Sequence, residues 1–331
     1  MGPRTKSWLS WSMKAAVSAI ILFYIFTKIP FSDVIASVRA TKVFPVVLGL
    51  LLGFLVRYAE ASRMKILTDL QGMSFSTGHI YKINLMTSFY GMFLPGSLAG
   101  GAIRWYKLSR PDNKPSEAFI SIAFNRWIHT TGIVLFGLIF WSLDWEARAS
   151  AFIGGTFLLM LTVLFVIYLA AFNRSATAFF SKRVRHLVVL PEEIRNRLLQ
   201  LLEAVSYYDG LPARTTLRLW ALTGAGEFIG VGSYYCFVWS LGLNVSLISL
   251  IWIRSLSLLI GMVPISFSGL GVRDGTLIYL LDPYGVPASS AVSLSFLLFG
   301  RMALAGALGG LLEARHHFAG PPIQGRGAES R

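Results

Sequence analysis

Long uncharged stretches of apolar residues recur along the chain, and they restrict the folds that are open to it. Several are long enough to cross the ~30 Å hydrocarbon core of a bilayer as helices. Of the 331 residues, 54% are hydrophobic and only 14% are charged, whereas a soluble domain carries about a quarter charged residues. The sequence therefore predicts an all-α protein that crosses a membrane several times.

Six stretches are predicted to be complete membrane-spanning helices, and two more are interrupted in the middle by proline and glycine. The complete spans lie near residues 9–27, 43–61, 117–142, 150–172, 216–241 and 287–312. The interrupted segments, near 80–109 and 246–282, are each predicted to form a re-entrant hairpin of two half-helices. The first stretch has the basic flank of a signal peptide, but its length favours a retained helix.

The distribution of lysine and arginine orients these segments. Loop 173–215 carries seven basic residues, and loop 62–82 carries Arg63, Lys65 and Lys82 and is expected on the same side. Loops 242–246 and 283–287 carry none, although loop 28–42 departs from the pattern with three. Because basic loops stay cytoplasmic, we expect loop 173–215 and both termini on the cytoplasmic side of the inner or plasma membrane. The same retention explains the net charge of +14, so no nucleic-acid partner is predicted.

The basic loop contains a segment with apolar residues at helical spacing. Ile194, Leu198, Leu201 and Val205 recur on one face after Pro191. We expect a short amphipathic helix on the surface of the inner leaflet; a solvated connector helix is the alternative. The predicted organisation is one transmembrane domain over residues 1–316, followed by a disordered tail over 317–331.

The same ten-residue pattern occurs in both interrupted segments. Residues 95–104 are PGSLAGGAIR and residues 264–273 are PISFSGLGVR, and both fit P-x-S-x-x-G-x-x-[IV]-R without gaps. By the loop charges, the two segments enter the membrane from opposite sides. Broken helices at corresponding positions of two oppositely oriented halves are typical of transporters. We therefore expect an inverted repeat with halves near 43–142 and 216–312.

The residues shared by the two copies indicate an anion site. They are Pro95, Ser97, Gly100 and Arg104 in the first copy, and Pro264, Ser266, Gly269 and Arg273 in the second. The prolines stop a helix in mid-membrane, and the freed amide groups must face protein or a wet cavity. The serines can cap the next half-helix, whose N-terminus favours an anion. The planar guanidinium group of each arginine can donate paired hydrogen bonds to a phosphate. The alternative is a kinked, packed helix whose arginine reaches an interface.

Other charged side chains lie inside predicted spans, where they are costly and point to function. They are Arg126, Glu227, Arg254 and Arg301. Arg126 and Arg301 each follow an interrupted segment by one helix, so we expect a second symmetric pair. The alternative is a set of buried ion pairs, such as Glu227 with an arginine, that only fixes helix packing. Arg57 and Glu60 are expected to be interfacial anchors.

Signals for catalysis, metals and cofactors are absent from the sequence. The five histidines have no metal-ligand spacing, and the glycines near the two arginines do not follow strands, as a Walker or Rossmann motif requires. We therefore predict neither a metal nor a cofactor.

The interrupted segments and their flanks resemble a known family. Asn84, Leu94-Pro95-Gly96 and Arg104, with Pro264 and the run SGLGVRDG from Ser268 to Gly275, are similar to the lysylphosphatidylglycerol synthase transmembrane-region family, often called flippase-like domain proteins. Arg126 and Arg301 match arginines in the helix after each hairpin. The resemblance covers residues 10–312. Asp274 stands where the family usually has glutamate, and Asn125 stands where it usually has an acidic residue.

This resemblance implies lipid translocation. The aminoacyl-phosphatidylglycerol synthases use such a domain to move their product between leaflets. They also carry a large soluble synthase domain, whereas this sequence ends about twenty residues after its last predicted span. We therefore expect no enzyme activity here. The phosphate of an anionic phospholipid or polyprenyl-linked lipid would lie between Arg104 and Arg273 near the midplane. Further residues predicted to line the site are Ser97, Ser266, Gly100, Gly269, Asp274, Arg126, Arg301, Glu227, Asn84 and Arg254.

Two other functions stay open. The first is a noncatalytic membrane partner of a lipid-linked glycosyltransferase or an aminoacyl-lipid synthase, because related domains are fused to such enzymes or work beside them. The second is a membrane enzyme that uses Glu227 or Asp274 as a base.

Overall fold

A computed structural model describes residues 31–93, 97–145, 151–186, 192–262 and 271–318 of the chain. These residues form twelve α-helices and one short 3₁₀ helix at Asp282–Tyr284. The α-helices are α1 (Phe31–Arg39), α2 (Val43–Leu70), α3 (Thr77–Phe93), α4 (Ser97–Ser109), α5 (Pro115–Leu143), α6 (Ala151–Ala171), α7 (Arg174–His186), α8 (Glu192–Ser206), α9 (Ala213–Ser240), α10 (Leu247–Met262), α11 (Val272–Leu281) and α12 (Ala288–Phe318).

Four of the described helices, α2, α5, α6 and α12, are long and apolar enough to cross a bilayer. The predicted all-helical, polytopic membrane class is therefore confirmed. Helix α9 has 28 residues but is less apolar, because it begins with Arg214 and Arg218 and carries Glu227 in its middle. The predicted span 9–27 lies outside the described residues.

Three long contacts between helices build the bundle. Helix α2 packs along α9, α3 packs along α12, and α5 packs along α10. The short helix α4 contacts α3 and α5, while α11 contacts α10 and α12. The largest apolar cluster includes Ile133, Phe237, Ile253, Leu277 and Leu294, which come from five different helices. The core therefore joins the N-terminal and C-terminal parts of the chain.

Glycines allow two of these contacts to be very close. A Cβ atom built at Gly309 would lie 1.9 Å from the carbonyl oxygen of Leu85, so α12 meets the backbone of α3 at this point. A Cβ atom at Gly100 would lie 3.1 Å from the carbonyl oxygen of Thr87. Gly100, predicted to approach an anion, therefore serves helix packing between α3 and α4.

The basic loop contains two helices rather than one. The predicted amphipathic helix is present as α8, and α7 before it was not predicted. Ala204 and Val205, with Tyr208 just beyond the helix, belong to an apolar cluster with Leu67 and Phe124. The C-terminal end of α8 thus packs on the bundle.

Helix α2 continues well beyond its predicted end near residue 61. It runs to Leu70, so the predicted loop 62–82 is mostly helical. Arg63, which was predicted to be a loop charge, is 3% exposed inside the bundle. This extension brings a basic residue into the region of the predicted site.

Candidate functional site

Arginines from three helices lie around Glu60 and Arg104. The arginines that act on Glu60 are Arg57 and Arg63 of α2 and Arg104 of α4. Arg126 of α5 acts in turn on Arg104. Arg104 is half-buried and Arg126 is exposed. The single carboxylate of Glu60 is thus outnumbered by the guanidinium groups around it.

Arg63 is held by neutral partners. Its Nε donates to Asn125 Oδ1 at 2.7 Å, and its Nη1 donates to Thr223 Oγ1 at 3.0 Å. These bonds connect α2 to α5 and α9. Asn125 and Thr223 are both neutral, so these two hydrogen bonds hold the Arg63 guanidinium without neutralising its charge.

Glu227 and Arg254 form a buried ion pair between α9 and α10. Glu227 Oε2 lies 2.6 Å from Arg254 Nη1, and the side chains are 2% and 6% exposed. A Cβ atom at Gly230 would lie 2.3 Å from Arg254 Nη2, so this glycine makes room for the guanidinium. The alternative considered for Glu227, an ion pair with an arginine, is present in the structure with Arg254 as the partner, and the predicted contact of Glu227 with lipid stays a prediction.

Arg301 lies between α2 and α9. Its Nη1 donates to Ser233 Oγ at 2.9 Å, and that hydroxyl donates to the carbonyl oxygen of Gly49 at 2.7 Å. The Arg301 guanidinium lies 5.7 Å from the centre of the Tyr234 ring. Among the described residues, the charged side chains acting most strongly on Arg301 are Arg254, Arg57 and Arg273, all of the same sign. Arg301 therefore has hydrogen-bond and aromatic partners instead of a carboxylate.

Arg273 and Asp274 are both tied to α12 through Ser295. Arg273 donates from Nε to Ser295 Oγ at 2.9 Å and from Nη2 to the Ser295 carbonyl oxygen at 3.0 Å. Asp274 Oδ1 accepts a hydrogen bond from Ser295 Oγ, and Oδ2 accepts one from the Gly271 N–H at 2.8 Å. Asp274 thus caps α11, with both oxygens engaged, and its predicted contact with lipid stays a prediction.

Helix α3 adds polar groups beside Arg57. Arg57 Nη1 donates to Ser88 Oγ at 2.8 Å, and Ser88 donates to the backbone carbonyl oxygen of Asn84. The Asn84 side chain is 2% exposed, and its Oδ1 has no hydrogen-bond partner among the described residues. A buried acceptor without a partner costs about 1–3 kcal/mol, so this predicted site residue holds an unused acceptor.

The structure brings most of the predicted site residues into one region. We define the arginine cluster as Arg57, Arg63, Arg104, Arg126, Arg254, Arg273 and Arg301. The cluster consists of two groups, one around Arg104 and Arg126 and the other around Arg254, Arg273 and Arg301. Arg57 connects them, because its charge repels both Arg104 and Arg301. Arg104 belongs to the first of these groups and Arg273 to the second.

Some predicted residues cannot be placed. Pro95, Pro264, Ser266 and Gly269 lie outside the described residues. Ser97 begins α4, but its side chain is also outside the described part of the chain.

Sequence reasoning missed four members of the site. Arg57 and Glu60 were expected at an interface, Arg63 in a loop, and His129 had no assigned role. His129 lies three residues after Arg126 and four after Asn125, which is one helical turn. The spacing of Arg57, Glu60 and Arg63 by threes also places them on one face of α2, and this periodicity was the available signal.

A second polar site lies apart from the arginine cluster. Asp144 Oδ2 accepts hydrogen bonds from Trp252 Nε1 and Tyr284 OH, both at 2.8 Å. Burial raises the pKa of Tyr284 to about 12. The adjoining cavity of about 610 Å³ is also lined by Ser249 and Asn244. Among the described residues, no group of three or more metal-ligating side chains is present here or elsewhere.

A comparison with known protein families shows which family the chain belongs to. Residues 11–310 match the model for the lysylphosphatidylglycerol synthase TM region. The chain belongs to this family. Its polar core therefore lies in a lysylphosphatidylglycerol synthase transmembrane-region protein, and the resemblance based on the two arginine motifs is confirmed.

Two archaeal proteins are similar over most of the chain. One is a UPF0104 membrane protein of Methanothermobacter thermautotrophicus, 23% identical, with 84% of each chain covered. The other is a UPF0104 membrane protein of Methanocaldococcus jannaschii, 24% identical, with 85% of this chain and 87% of that protein covered. Both are membrane proteins by name, in agreement with the multi-pass character of this family member.

Proposed function

We propose that this protein binds a phosphate-bearing anionic lipid at the arginine cluster and moves it between the leaflets of the membrane. The observation that carries the proposal is the excess of arginines over carboxylates among spanning helices. Seven arginines share the region with Glu60, Glu227 and Asp274. Uncompensated charge among spanning helices is expensive, and a lipid phosphate would supply the missing negative charge.

The partners of individual arginines favour a phosphate over a structural role for the whole cluster. Arg254 has a carboxylate, Glu227, within 2.6 Å, as a structural ion pair requires. Arg63 and Arg301 instead use neutral oxygen atoms, and Arg104 and Arg126 are partly open to the surroundings. The planar guanidinium binds phosphate through paired hydrogen bonds. Arg104 and Arg126 are therefore suited to be the first arginines that the lipid phosphate contacts.

We further propose that the two halves form an inverted repeat around this cluster. The element order supports it, because α2, α3, α4 and α5 have lengths similar to those of α9, α10, α11 and α12. The packing supports it too, since exchanging the halves turns the α3–α12 contact into the α10–α5 contact and leaves α2–α9 unchanged. The midplane site would then lie where the halves meet.

Re-entrant hairpins are the third part of the proposal. Helix α4 has 13 residues and α11 has 10, which corresponds to about 20 Å and 15 Å at 1.5 Å per residue. Neither length reaches across ~30 Å of hydrocarbon. Because α4 contacts α3 and α11 contacts α10, each pair would enter and leave the membrane on the same side.

The test is lipid movement by the purified chain in vesicles of phosphatidylcholine and phosphatidylglycerol. Fluorescent phosphatidylglycerol is the probe, and its exposure is followed by reduction with dithionite. A lost phosphate contact costs about 1.5–3 kcal/mol, so Arg104→Ala and Arg273→Ala should each weaken lipid binding roughly 10- to 100-fold. The corresponding lysine variants keep the positive charge but lack the paired hydrogen bonds of the guanidinium group, so their lipid affinity should fall less than that of the alanine variants.

Arg110→Ala is the matched control, because Arg110 follows α4 and is exposed with its guanidinium over the Tyr106 ring. If Arg104→Ala and Arg273→Ala fold and move lipid as Arg110→Ala does, the site is elsewhere. If the wild-type chain binds the lipid but moves none in vesicles, a noncatalytic partner of a lipid-modifying enzyme is the better description. Mass spectrometry of copurified lipid would then identify the headgroup.

A further inference from the structure

Three titratable side chains from three helices meet beside the arginine cluster. His129 Nε2 in α5 lies 3.5 Å from Glu227 Oε1 in α9 and 3.9 Å from Glu60 Oε1 in α2. The His129 and Glu60 side chains are 25% and 29% exposed, whereas Glu227 is 2% exposed. A single ring nitrogen therefore faces two carboxylates, one of them reachable from the surroundings.

The charges around this group connect it to the proposed lipid site. Glu60, Arg63, Glu227 and Arg254 act on His129. His129 and the arginines at positions 57, 63 and 104 act on Glu60. Glu60 thus shares its arginines with the place where a lipid phosphate would bind, and the phosphate and the carboxylate would compete for the same cations.

We propose that Glu60, His129 and Glu227 form a proton site, and that lipid binding and proton binding are coupled through it. The inference rests on the proposed lipid function and adds the coupling ion. The proton comes from a hydronium ion, which leaves as a water molecule, and is held either on His129 Nε2, between the two carboxylates, or on the Glu60 carboxylate. One O–H bond of the hydronium ion breaks as the new N–H or O–H bond forms.

The sign of the coupling follows from electrostatics. When a phosphate enters the cluster, Arg57 and Arg104 turn toward it and stabilise ionised Glu60 less. A nearby negative charge also favours the protonated forms of both imidazole and carboxylate. Lipid binding should therefore cause proton uptake, and a lipid anion would cross together with a proton.

Histidine suits this role because imidazole changes its charge between about pH 5 and 8. Glu227 differs from Glu60 in being paired with Arg254. This pair fixes the Glu227 carboxylate in place, with Oε1 3.5 Å from His129 Nε2. The arrangement makes Glu60 and His129 the groups that exchange the proton and Glu227 the group that holds it in place.

Coupling of this kind is reciprocal, so binding of one proton makes the lipid affinity depend on pH by up to about tenfold per pH unit. The experiment uses the full chain in micelles of a nonionic detergent. Short-chain phosphatidylglycerol is added in a weakly buffered solution with a pH-indicating dye, and phosphatidylcholine, which has no net charge, serves as the lipid control. Lipid affinity is measured in parallel from pH 5.5 to 8.

We expect wild type to take up close to one proton per lipid bound and to bind phosphatidylglycerol more tightly at low pH. His129→Gln and Glu60→Gln should each bind lipid with little or no proton uptake. His79→Gln is the matched control, because His79 in α3 is exposed and its ring stacks on that of Phe75, just before the helix. It should behave as wild type does.

The outcomes separate this inference from the proposed function. Wild type that binds lipid without proton uptake, and with equal affinity from pH 5.5 to 8, would overturn the coupling and leave lipid binding intact. Proton uptake that persists in both Gln variants would overturn the assigned site. If wild type binds no lipid, the proposed function fails. An infrared titration then decides whether Glu60 and His129 bind a proton, by whether their bands disappear in the variants.

Discussion

Removing one partner of the buried Glu227–Arg254 pair should destabilise the protein much more than removing both. The oxygen and nitrogen atoms are 2.6 Å apart, and neither side chain is more than 6% exposed. Water cannot replace a lost partner at this depth, so the remaining charge stays uncompensated. Glu227→Gln or Arg254→Met should each cost about 3–5 kcal/mol.

The double variant should recover a large part of this loss, because it buries no uncompensated member of the pair. A double variant that loses less than either single variant requires a coupling energy of more than about 3 kcal/mol between the two positions, because each single loss is about 3–5 kcal/mol. The assay is thermal unfolding of the purified chain in detergent, in which each single variant should lower the apparent melting temperature by roughly 5–15 °C.

The chain offers a matched control in the exposed pair of Lys65 and Asp69, whose side chains are 38% and 44% exposed. Exposed pairs of this kind contribute about 0.3–0.5 kcal/mol, so Lys65→Met should hardly shift the melting temperature. If Arg254→Met unfolds at the same temperature as Lys65→Met, or if the two single losses simply add in the double variant, the reasoning from burial is refuted.

Helix packing and pH offer two further tests. Gly309→Ala places a methyl group against the Leu85 carbonyl oxygen and should abolish or strongly reduce the yield of folded protein, whereas Gly300→Ala, with no atom within 4 Å, should be tolerated. Burial raises the pKa of Tyr208 to about 12, above the unfolded value of about 10. The folded state therefore prefers the neutral phenol, and its contribution, present below pH 10, is lost as the pH rises from 10 to 12. This change corresponds to about 2–3 kcal/mol, and Tyr208→Phe should remove it from the pH dependence of unfolding.

The helical class and most spans were predictable because apolar stretches without charge have few alternatives to a membrane helix. The end of α2 was not. A charge normally ends such a stretch, and Arg63 follows the apolar run closely. Asn125 and Thr223 replace water for its guanidinium, so the helix continues inside the protein. Partners that are distant in sequence decided this boundary.

The site was predictable in its residue types but not in its pairings. The repeated motif singled out Arg104 and Arg273, which lie in the two short helices α4 and α11. Which oxygen atoms they face depends on contacts between distant segments, such as Arg273 with Ser295, 22 residues later. His129 was overlooked because a lone histidine in an apolar span carries no pattern of its own. Only the fold places it between two glutamates.

Gly230, described above, and Gly53 limit how the helices that face them can move. A Cβ atom at Gly53 would lie 2.5 Å from Arg301 Cδ, and the same atom at Gly230 would lie 2.3 Å from Arg254 Nη2. The side chain of Arg301 therefore fills the gap left by Gly53 in α2, and that of Arg254 fills the gap left by Gly230 in α9. Before α12 can slide along α2, or α10 along α9, the arginine side chain must leave this gap. We expect helix pairs joined in this way to move as rigid units, so a rearrangement during the proposed lipid transport would occur at interfaces that have no such gap.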